Sequence, residues 1–246
     1  MSRCSCGGRH AFQGQRALVT GANGGLGQAL VEALLRRGVA RIYAASRSGE
    51  EFAHPRVVPL RLDITDAGAI AQARLIASDI TLLVNNAGVN ANQPLLGAPD
   101  LTAARAEMET NYFGTLAMCR EFAPLLRAHG GGTIVNVLSA AARLALPAMG
   151  SLCVSKAAAL HMTQCLRAEL CGTGISVVSF LPGALDTRMS SHLTVPKASV
   201  QDAAAALLDG LCEGLAEISF GVPAIDPLSV GQVGGRWHGC KGNPGV

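Results

Sequence analysis

The sequence predicts an α/β protein in which helices cover both faces of one doubly wound parallel sheet. Short, continuous apolar runs alternate with longer amphipathic stretches, and strands that are apolar throughout are typical of parallel sheets buried on both sides. The chain has 246 residues, of which 49% are hydrophobic and 15% charged, which suits one large core. No repeat or linker indicates a second unit. We therefore predict a flexible extension over residues 1–14 and a single domain over residues 15–246.

The predicted elements follow one another in the order that such a sheet requires. Apolar runs predict strands at residues 16–20, 41–45, 57–62, 81–84, 133–138, 176–181 and 218–220. Amphipathic stretches predict helices at residues 26–37, 67–78, 101–128, 151–170 and 200–214. Gly38 follows the first helix, where a glycine typically ends the last turn. The glycine-rich tail from Val230 is predicted to be partly mobile.

Composition and charge argue against several classes of function. The formal net charge is +3 without a block of Lys or Arg, so a nucleic-acid partner is not predicted. No apolar run is long enough for a membrane span, and the first residues lack the apolar core of a secretion signal. Eight scattered cysteines favour a reduced, cytoplasmic protein. Cys4, Cys6 and His10 lack a fourth ligand at suitable spacing, so no metal site is predicted.

A glycine-rich turn joins the first strand to the first helix. Glycine permits a tight turn and lets the backbone approach a pyrophosphate, while the helix N-terminus offers free N–H groups and a positive dipole. The turn lies in the strand–turn–helix context that this mechanism needs. We therefore predict phosphate binding by Gly21, Asn23, Gly24, Gly25, Leu26 and Gly27.

The ordered motifs of the chain resemble those of the short-chain dehydrogenase/reductase family. Between about residues 15 and 220 they are T-G-x-x-x-G-x-G, Asp63-Ile64, Asn85-Asn86-Ala87-Gly88, Asn111, Ser139 and Pro182-Gly183-Ala184-Leu185-Asp186-Thr187. The resemblance implies a Rossmann fold and a nicotinamide dinucleotide as cofactor. It also implies further cofactor contacts from Asp63, Ile64, Asn85, Ala87, Gly88, Lys156, Pro182, Gly183, Leu185 and Thr187.

Family members commonly pair through the long helix and the helix that carries the lysine. The resemblance therefore implies a homodimer or homotetramer. The apolar residues that would permit such pairing are Met108, Phe113, Met118, Leu160 and Leu166.

The end of the second strand predicts which nicotinamide cofactor is bound. An acidic residue there would accept the ribose 2′-hydroxyl and repel a 2′-phosphate. This chain has Ser46 and Arg47 instead. A hydroxyl and a guanidinium suit a phosphate dianion, so NADPH/NADP⁺ is predicted.

The catalytic residues match the family pattern except at one position. Resemblance implies that Ser139 holds a substrate carbonyl, that Lys156 binds the nicotinamide ribose and that Asn111 anchors a water chain. The family places a proton-donating tyrosine four residues before the lysine, and this chain has Leu152 there. Ser139 and Leu152 are separated by the family's usual Ser–Tyr spacing, so a shifted frame does not explain the absence.

Other side chains near the leucine are weak candidates for the missing proton donor. Tyr43 is predicted on the adenosine side and Tyr112 as a packing residue; the remaining candidates are Ser151, Cys153, Ser155, His161 and His192. Losing a general acid typically costs about 10²–10⁴-fold in rate rather than all activity. A phenol or enol beside the substrate ketone, or a water held by Ser139, would supply the proton instead.

These features predict an NADPH-dependent ketoreductase for a large aromatic, angucyclinone-like polyketide ketone of antibiotic biosynthesis. The apolar connection at residues 143–150 and the mixed segment at residues 189–196 are expected to line a pocket for such a small-molecule aromatic substrate. A second hypothesis is a catalytically inactive NADP(H)-binding sensor or scaffold. A third is an enzyme that isomerises or dehydrates without net redox change.

Overall fold

Seven parallel strands form one sheet in the order β3-β2-β1-β4-β5-β6-β7. The computed structural model describes residues 12–50 and 52–221. The predicted fold class, a doubly wound parallel sheet, is confirmed. Cys4, Cys6, His10, most of the predicted extension and the glycine-rich tail lie outside the described residues.

The strands and helices alternate as expected, with ends that differ from the predicted ones by a few residues. The strands are β1 Arg16–Thr20, β2 Arg41–Ser46, β3 Val57–Arg61, β4 Leu82–Asn85, β5 Gly132–Val137, β6 Ile175–Pro182 and β7 Glu217–Phe220. The helices are α1 Gly25–Arg36, α2 Ala67–Ile76, α3 Thr102–Met108, α4 Thr115–Ala128, α5 Gly150–Glu169 and α6 Val200–Cys212.

Each face of the sheet carries its own apolar core. On one face α1 packs against α6, and their leucines meet Phe180 of β6. On the other face Met118 and Phe122 of α4 pack with Ile134 of β5. The strand order reverses between β1 and β4, and in open α/β sheets the crevice at such a point, beyond the carboxyl ends of the strands, binds ligands.

The long helix predicted over residues 101–128 is interrupted. A π-helical segment, Glu109–Gly114, separates α3 from α4. Two contacts account for it: the Asn111 side chain bonds the main chain of Val89, and a β-carbon at Gly114 would lie 2.9 Å from Ile64. The sequence pattern shows the apolar period but not the extra residue in the turn, and such insertions are frequent at functional sites.

The apolar residues expected to pair subunits divide into two groups. Met118 and Leu160 are buried within the protomer, so that part of the expectation is wrong. Phe113, by contrast, is 51% exposed, and Met108 and Leu166 are half-buried. Over residues 12–50 and 52–221, no helix has the length and apolarity to cross a membrane. Within the same ranges, no group of three or more His, Cys, Asp or Glu side chains is arranged to hold a metal ion.

Candidate active site

The glycine-rich turn after β1 forms a cradle that side chains would fill. Gly21 has a φ of 62°, and a β-carbon there would lie 2.9 Å from Ala87 Cα. A β-carbon at Gly27 would lie 2.1 Å from the Gly21 carbonyl oxygen. Helix α1 starts at Gly25 after Gly24, without a side-chain cap on its first turn. This uncapped N-terminus within an open backbone fits a pyrophosphate.

Two polar residues fix this turn against the end of β4. Thr20 Oγ1 accepts hydrogen bonds from the N–H groups of Asn86 and Ala87, both at 3.0 Å. Asn86 Nδ2 donates to the carbonyl oxygens of Thr20 and Gly21, each at 3.0 Å. Asn86 therefore shapes the cradle, a role that the sequence pattern did not assign to it.

The neighbouring Asn85 faces the other way. Its side chain is buried, and Nδ2 donates to Asn136 Oδ1 at 2.9 Å and to Cys119 Sγ at 3.3 Å. The Asn85 side chain therefore lies in the core, because successive side chains on a strand point to opposite faces, and the main chain is the part of this residue left to meet a cofactor. Burial raises the pKa of the Cys119 thiol in this network to about 12.

The predicted adenosine end of the site lies after β2. Arg47 is exposed, whereas Ser46 is buried, and its Oγ accepts from the Gly49 N–H at 3.0 Å. Asn23 of the glycine-rich turn donates to Ser48 Oγ and to Glu50 Oε1, both at 3.4 Å. Arg47 is thus free to meet an anion beside the turn, while Ser46 mainly stabilises the loop.

Asp63 and Ile64 complete this end of the site. Asp63 Oδ1 accepts from the N–H and the hydroxyl of Thr65, which hold the pKa of Asp63 below its usual value. The charge of Arg47 makes a further, smaller contribution in the same direction. Ile64 is 5% exposed, and its side chain belongs to the core.

The segment after β6 reaches the N-terminus of α1. A β-carbon at Gly25 would lie 3.1 Å from Thr187 Cγ2, so the predicted contact residues Gly25 and Thr187 are brought together. The Gly183 N–H donates to the Phe220 carbonyl of β7, which fixes the start of the segment. The Leu185 side chain is buried in the core, so any ligand contact there falls to its main chain.

Lys156 lies buried one turn along α5 from Leu152. Its Nζ donates to the Val137 carbonyl oxygen at 3.3 Å, and the residue is 8% exposed. A β-carbon at Gly88 would lie 3.3 Å from this Nζ and 3.0 Å from Asn111 Oδ1, so the absence of a side chain at Gly88 keeps the space open. Burial lowers the pKa of Lys156 to about 8.

Asn111 connects three segments around this lysine. Its Oδ1 accepts from the Val89 N–H at 2.9 Å, and its Nδ2 donates to the Val89 carbonyl and to Ser155 Oγ, both at 3.0 Å. Ser155 in turn donates to the Leu152 carbonyl. Both polar atoms of the Asn111 amide are thus bonded within the protein, and the side chain fastens these three segments together.

Ser139 stands at the end of β5 beside α5. It caps the short 3₁₀ segment Ala140–Ala142, and its Oγ accepts from the Ala141 N–H at 3.1 Å. The residue is half-buried, and its hydroxyl proton is left to donate. Ser139 can therefore donate a hydrogen bond to a ligand oxygen at the edge of the crevice.

Leu152 is enclosed by apolar side chains. It is 7% exposed and forms one cluster with Ala141, Leu146, Met149 and Cys153. Residues four apart share a helix face, so Leu152 occupies the turn immediately before Lys156. This position supplies packing, and no proton.

The alternative proton donors lie in other settings. Tyr43 donates to Asp79 at 2.7 Å on the adenosine side of the sheet. Tyr112 packs edge-on against the half-exposed ring of Phe113. His161 and His192 are exposed, the former on the outer side of α5. Within the part of the chain that the structure describes, none of these four side chains forms a hydrogen bond with Ser139 or Lys156.

The family assignment follows from comparison with known proteins. Residues 15–197 match the model of the adh_short family, described as short chain dehydrogenase. The chain belongs to the short-chain dehydrogenase family. The matched range contains the cradle, Asn111, Ser139 and Lys156, so all elements of the candidate site lie inside the family domain.

Several known dehydrogenases are similar to this chain over much of their length. One from Burkholderia cenocepacia, solved in complex with NADP, has a TM-score of 0.85 at 50% identity, covering 92% of this chain and 95% of that one. The short-chain dehydrogenase ptmH of Penicillium ochrochloron is 37% identical over 180 residues, which is 69% of this chain and 65% of the relative's length. The 2-(R)-hydroxypropyl-CoM dehydrogenase of Xanthobacter autotrophicus is 32% identical, covering 71% of this chain and 76% of that protein.

One buried acid in this short-chain dehydrogenase was not singled out by its sequence. Glu107 of α3 is 1% exposed, and its Oε1 accepts from the Ala91 N–H at 2.7 Å. It stands in the polar run Arg105-Ala106-Glu107-Met108-Glu109, which by composition reads as a solvated helix face. Its position four residues before Asn111 was the available signal, because that spacing puts both side chains on one face.

Proposed function

We propose that the protein is an NADPH-dependent reductase of a large aromatic ketone that carries its own proton source. The observation that carries the proposal is Leu152, buried among apolar side chains where the family resemblance implies a tyrosine. Ser139 and Lys156 are retained beside it, as a hydride-transfer site requires. NADPH, when bound, supplies the hydride to the carbonyl carbon.

The chain's own residues then have two tasks. The Ser139 hydroxyl donates a hydrogen bond to the ketone oxygen and stabilises the negative charge that develops there. Lys156 donates to the nicotinamide ribose and orients it. A phenol on the substrate next to the ketone gives its proton to the oxygen and is itself reprotonated by water. In this way the reaction balances without an acidic side chain.

The surroundings of the site support an apolar substrate of considerable size. Met189 and Val195, in the segment after Thr187, are 50% and 52% exposed. Leu95 is 59% exposed and lies over the start of α5, because a β-carbon at Gly150 would be 2.7 Å from Leu95 Cγ. Exposed apolar side chains on two segments next to the crevice favour a flat, aromatic ligand. We propose that its class is the angucyclinone-like polyketide ketones.

A matched pair of substrates tests this function. A polycyclic ketone with a hydroxyl next to the carbonyl is compared with its methyl ether, and the loss of NADPH absorbance is followed. We expect turnover of the phenol. The rate for the ether should be lower by about 10²-fold or more, since the ether has no proton to give. Equal rates for the pair, or no turnover across a panel of such phenols, would contradict the proposal.

Arg47 is proposed to select NADPH over NADH. Its exposed place next to Ser48, which bonds Asn23 of the glycine-rich turn, and the NADP bound to the Burkholderia relative support this. Arg47→Ala removes a charge-assisted bond worth about 1.5–3 kcal/mol, so NADPH binding weakens roughly 10–100-fold. NADH affinity stays unchanged and serves as the internal control. Fluorescence titration measures both affinities.

Glu50→Gln, which removes a nearby negative charge, is expected to tighten NADPH binding by about two- to fivefold in the same titration.

The second candidate, an NADP(H)-binding sensor or scaffold without turnover, is also favoured by Leu152. The half-buried Ser139 at the edge of the crevice favours the enzyme, because a protein that only binds the nucleotide has no use for a carbonyl-binding hydroxyl. NADPH binding with no oxidation of the nucleotide by any ketone of the panel would decide for the sensor.

A further inference from the structure

The buried acid Glu107 has one oxygen satisfied and one not. Its Oε1 accepts from the Ala91 N–H, which holds the loop after β4 against α3. Its Oε2 is buried and has no hydrogen-bond partner among the described residues. An unpaired buried carboxylate is costly, so the structure must provide a compensating charge or the acid must be neutral.

Lys156 is the buried cation among the described residues, and its helix α5 packs against α3, which carries Glu107. Burial lowers the pKa of Lys156, and the charge of Glu107 opposes that shift. The ammonium makes one hydrogen bond, to Val137, and has two further N–H donors. Asn111 follows Glu107 by one turn, and its Nδ2 donates to Ser155, the residue before Lys156. A β-carbon at Gly88 would lie 3.0 Å from Asn111 Oδ1 and 3.3 Å from Lys156 Nζ, so these groups share one small region.

Other titratable groups on the elements packed against α5 do not share this position. Arg105 of α3 and Glu109 of the π-helical segment are exposed. Arg143, which follows the 3₁₀ segment, pairs with Glu217 of β7 at 2.7 Å. Cys153 lies on α5 itself, in the apolar cluster with Leu152. Glu107 is therefore the acid placed to act on Lys156.

We propose that Glu107 is the buried counter-charge of Lys156, a positioning residue that keeps the ammonium charged beside the nicotinamide ribose. A tyrosine in place of Leu152 would offer a phenolate as the partner of this lysine. Without it, the carboxylate of Glu107 is the anion that offsets the buried ammonium. The role of Lys156 toward the ribose rests on the proposed function, whereas the pairing of the two charges does not.

Lysine NMR tests the pairing in the whole protein without any cofactor. The chain has three lysines, Lys156, Lys197 and Lys241, so ¹³Cε-labelled lysine gives a simple spectrum. Lys156→Met assigns the buried signal by its disappearance. The midpoint of the Lys156 titration is then compared between the wild type and Glu107→Gln. Glutamine keeps the bond to the Ala91 N–H and removes only the charge.

We expect Glu107→Gln to lower the Lys156 midpoint by about one pH unit or more, because the neighbouring opposite charge is lost. Glu107→Asp, which restores the charge, moves the midpoint back toward the wild-type value. Glu109→Gln is the matched control, since it removes an exposed charge two residues away and leaves the Lys156 midpoint in place. Lys197, on a distant segment, is unaffected in all variants.

An unchanged Lys156 midpoint in folded Glu107→Gln would overturn the proposal, as would an equal shift in Glu109→Gln. A double-mutant cycle gives a second measurement. The effects of Glu107→Gln and Lys156→Met on the free energy of unfolding depart from additivity if the two charges interact, and add if they do not. A shifted midpoint together with no reduction of aromatic ketones would refute the proposed function and leave this pairing intact.

Discussion

Replacing Gly27 with alanine is expected to abolish dinucleotide binding. The new β-carbon would lie 2.1 Å from the Gly21 carbonyl oxygen and 2.8 Å from Ala22 Cα, both of them main-chain atoms. The turn must therefore open, and the N–H groups at the start of α1 no longer point toward the pyrophosphate position. Overpacking of this kind costs about 2–3 kcal/mol, which lowers Tm by roughly 5–10 °C. Titration with NADPH and thermal melting measure the two effects.

A control separates lost binding from general destabilisation. Gly172 has a φ of 76° and nothing within 4 Å of its β-carbon position, so Gly172→Ala adds backbone strain without a clash. It lies after α5, away from the cradle, and is expected to lower Tm by a few degrees while NADPH affinity stays at the wild-type value. If Gly27→Ala binds NADPH as Gly172→Ala does, the cradle is not the phosphate site.

Replacing Ser139 with alanine is expected to reduce kcat/KM for a phenolic ketone by about 10²–10³-fold, the typical effect of losing one donor to a developing oxyanion. NADPH affinity should be preserved, because Ser139 is assigned to the ketone and not to the nucleotide. The lost cap on Ala140–Ala142 costs only about 1 kcal/mol, so the variant remains folded. Steady-state kinetics and a nucleotide titration give both quantities.

Ser139→Thr provides the conservative comparison. The backbone at this residue is extended, with φ −170° and ψ 158°, a region that β-branched residues adopt readily. Threonine keeps the hydroxyl and is expected to recover a large part of the activity that alanine loses. If alanine and the wild type differ by less than about fivefold, well below the effect of losing an oxyanion donor, Ser139 does not hold the reacting carbonyl.

Periodicity sufficed to predict the sheet and its helices. Runs such as Ala17–Thr20 are apolar because both faces of the sheet are covered, and the structure buries all four of these residues. The glycines of the cradle were predictable because a turn between strand and helix that approaches phosphate tolerates few other residues. The apolar strands and the glycine turn both depend on local geometry, so the spacing of residues in the sequence predicts them.

Features that depend on contacts between distant segments were not predictable in this way. The π-helical turn arises where Asn111 bonds Val89 and Gly114 meets Ile64, and periodicity within the helix contains neither contact. Asn85 and Asn86 are adjacent and alike in sequence, yet one faces the core and the other the cradle. Glu107 lies among polar residues, and only the fold shows that its carboxyl is buried.

The central claim is that this short-chain dehydrogenase reduces its substrate without a tyrosine acid. The chain contains two tyrosines, Tyr43 and Tyr112, so Tyr43→Phe/Tyr112→Phe removes every phenol from the protein. With NADPH and a phenolic polycyclic ketone, we predict a kcat within about threefold of the wild type, because no general acid is lost. A fall of about 10²-fold or more in this variant, with its fold and NADPH binding intact, would contradict the claim.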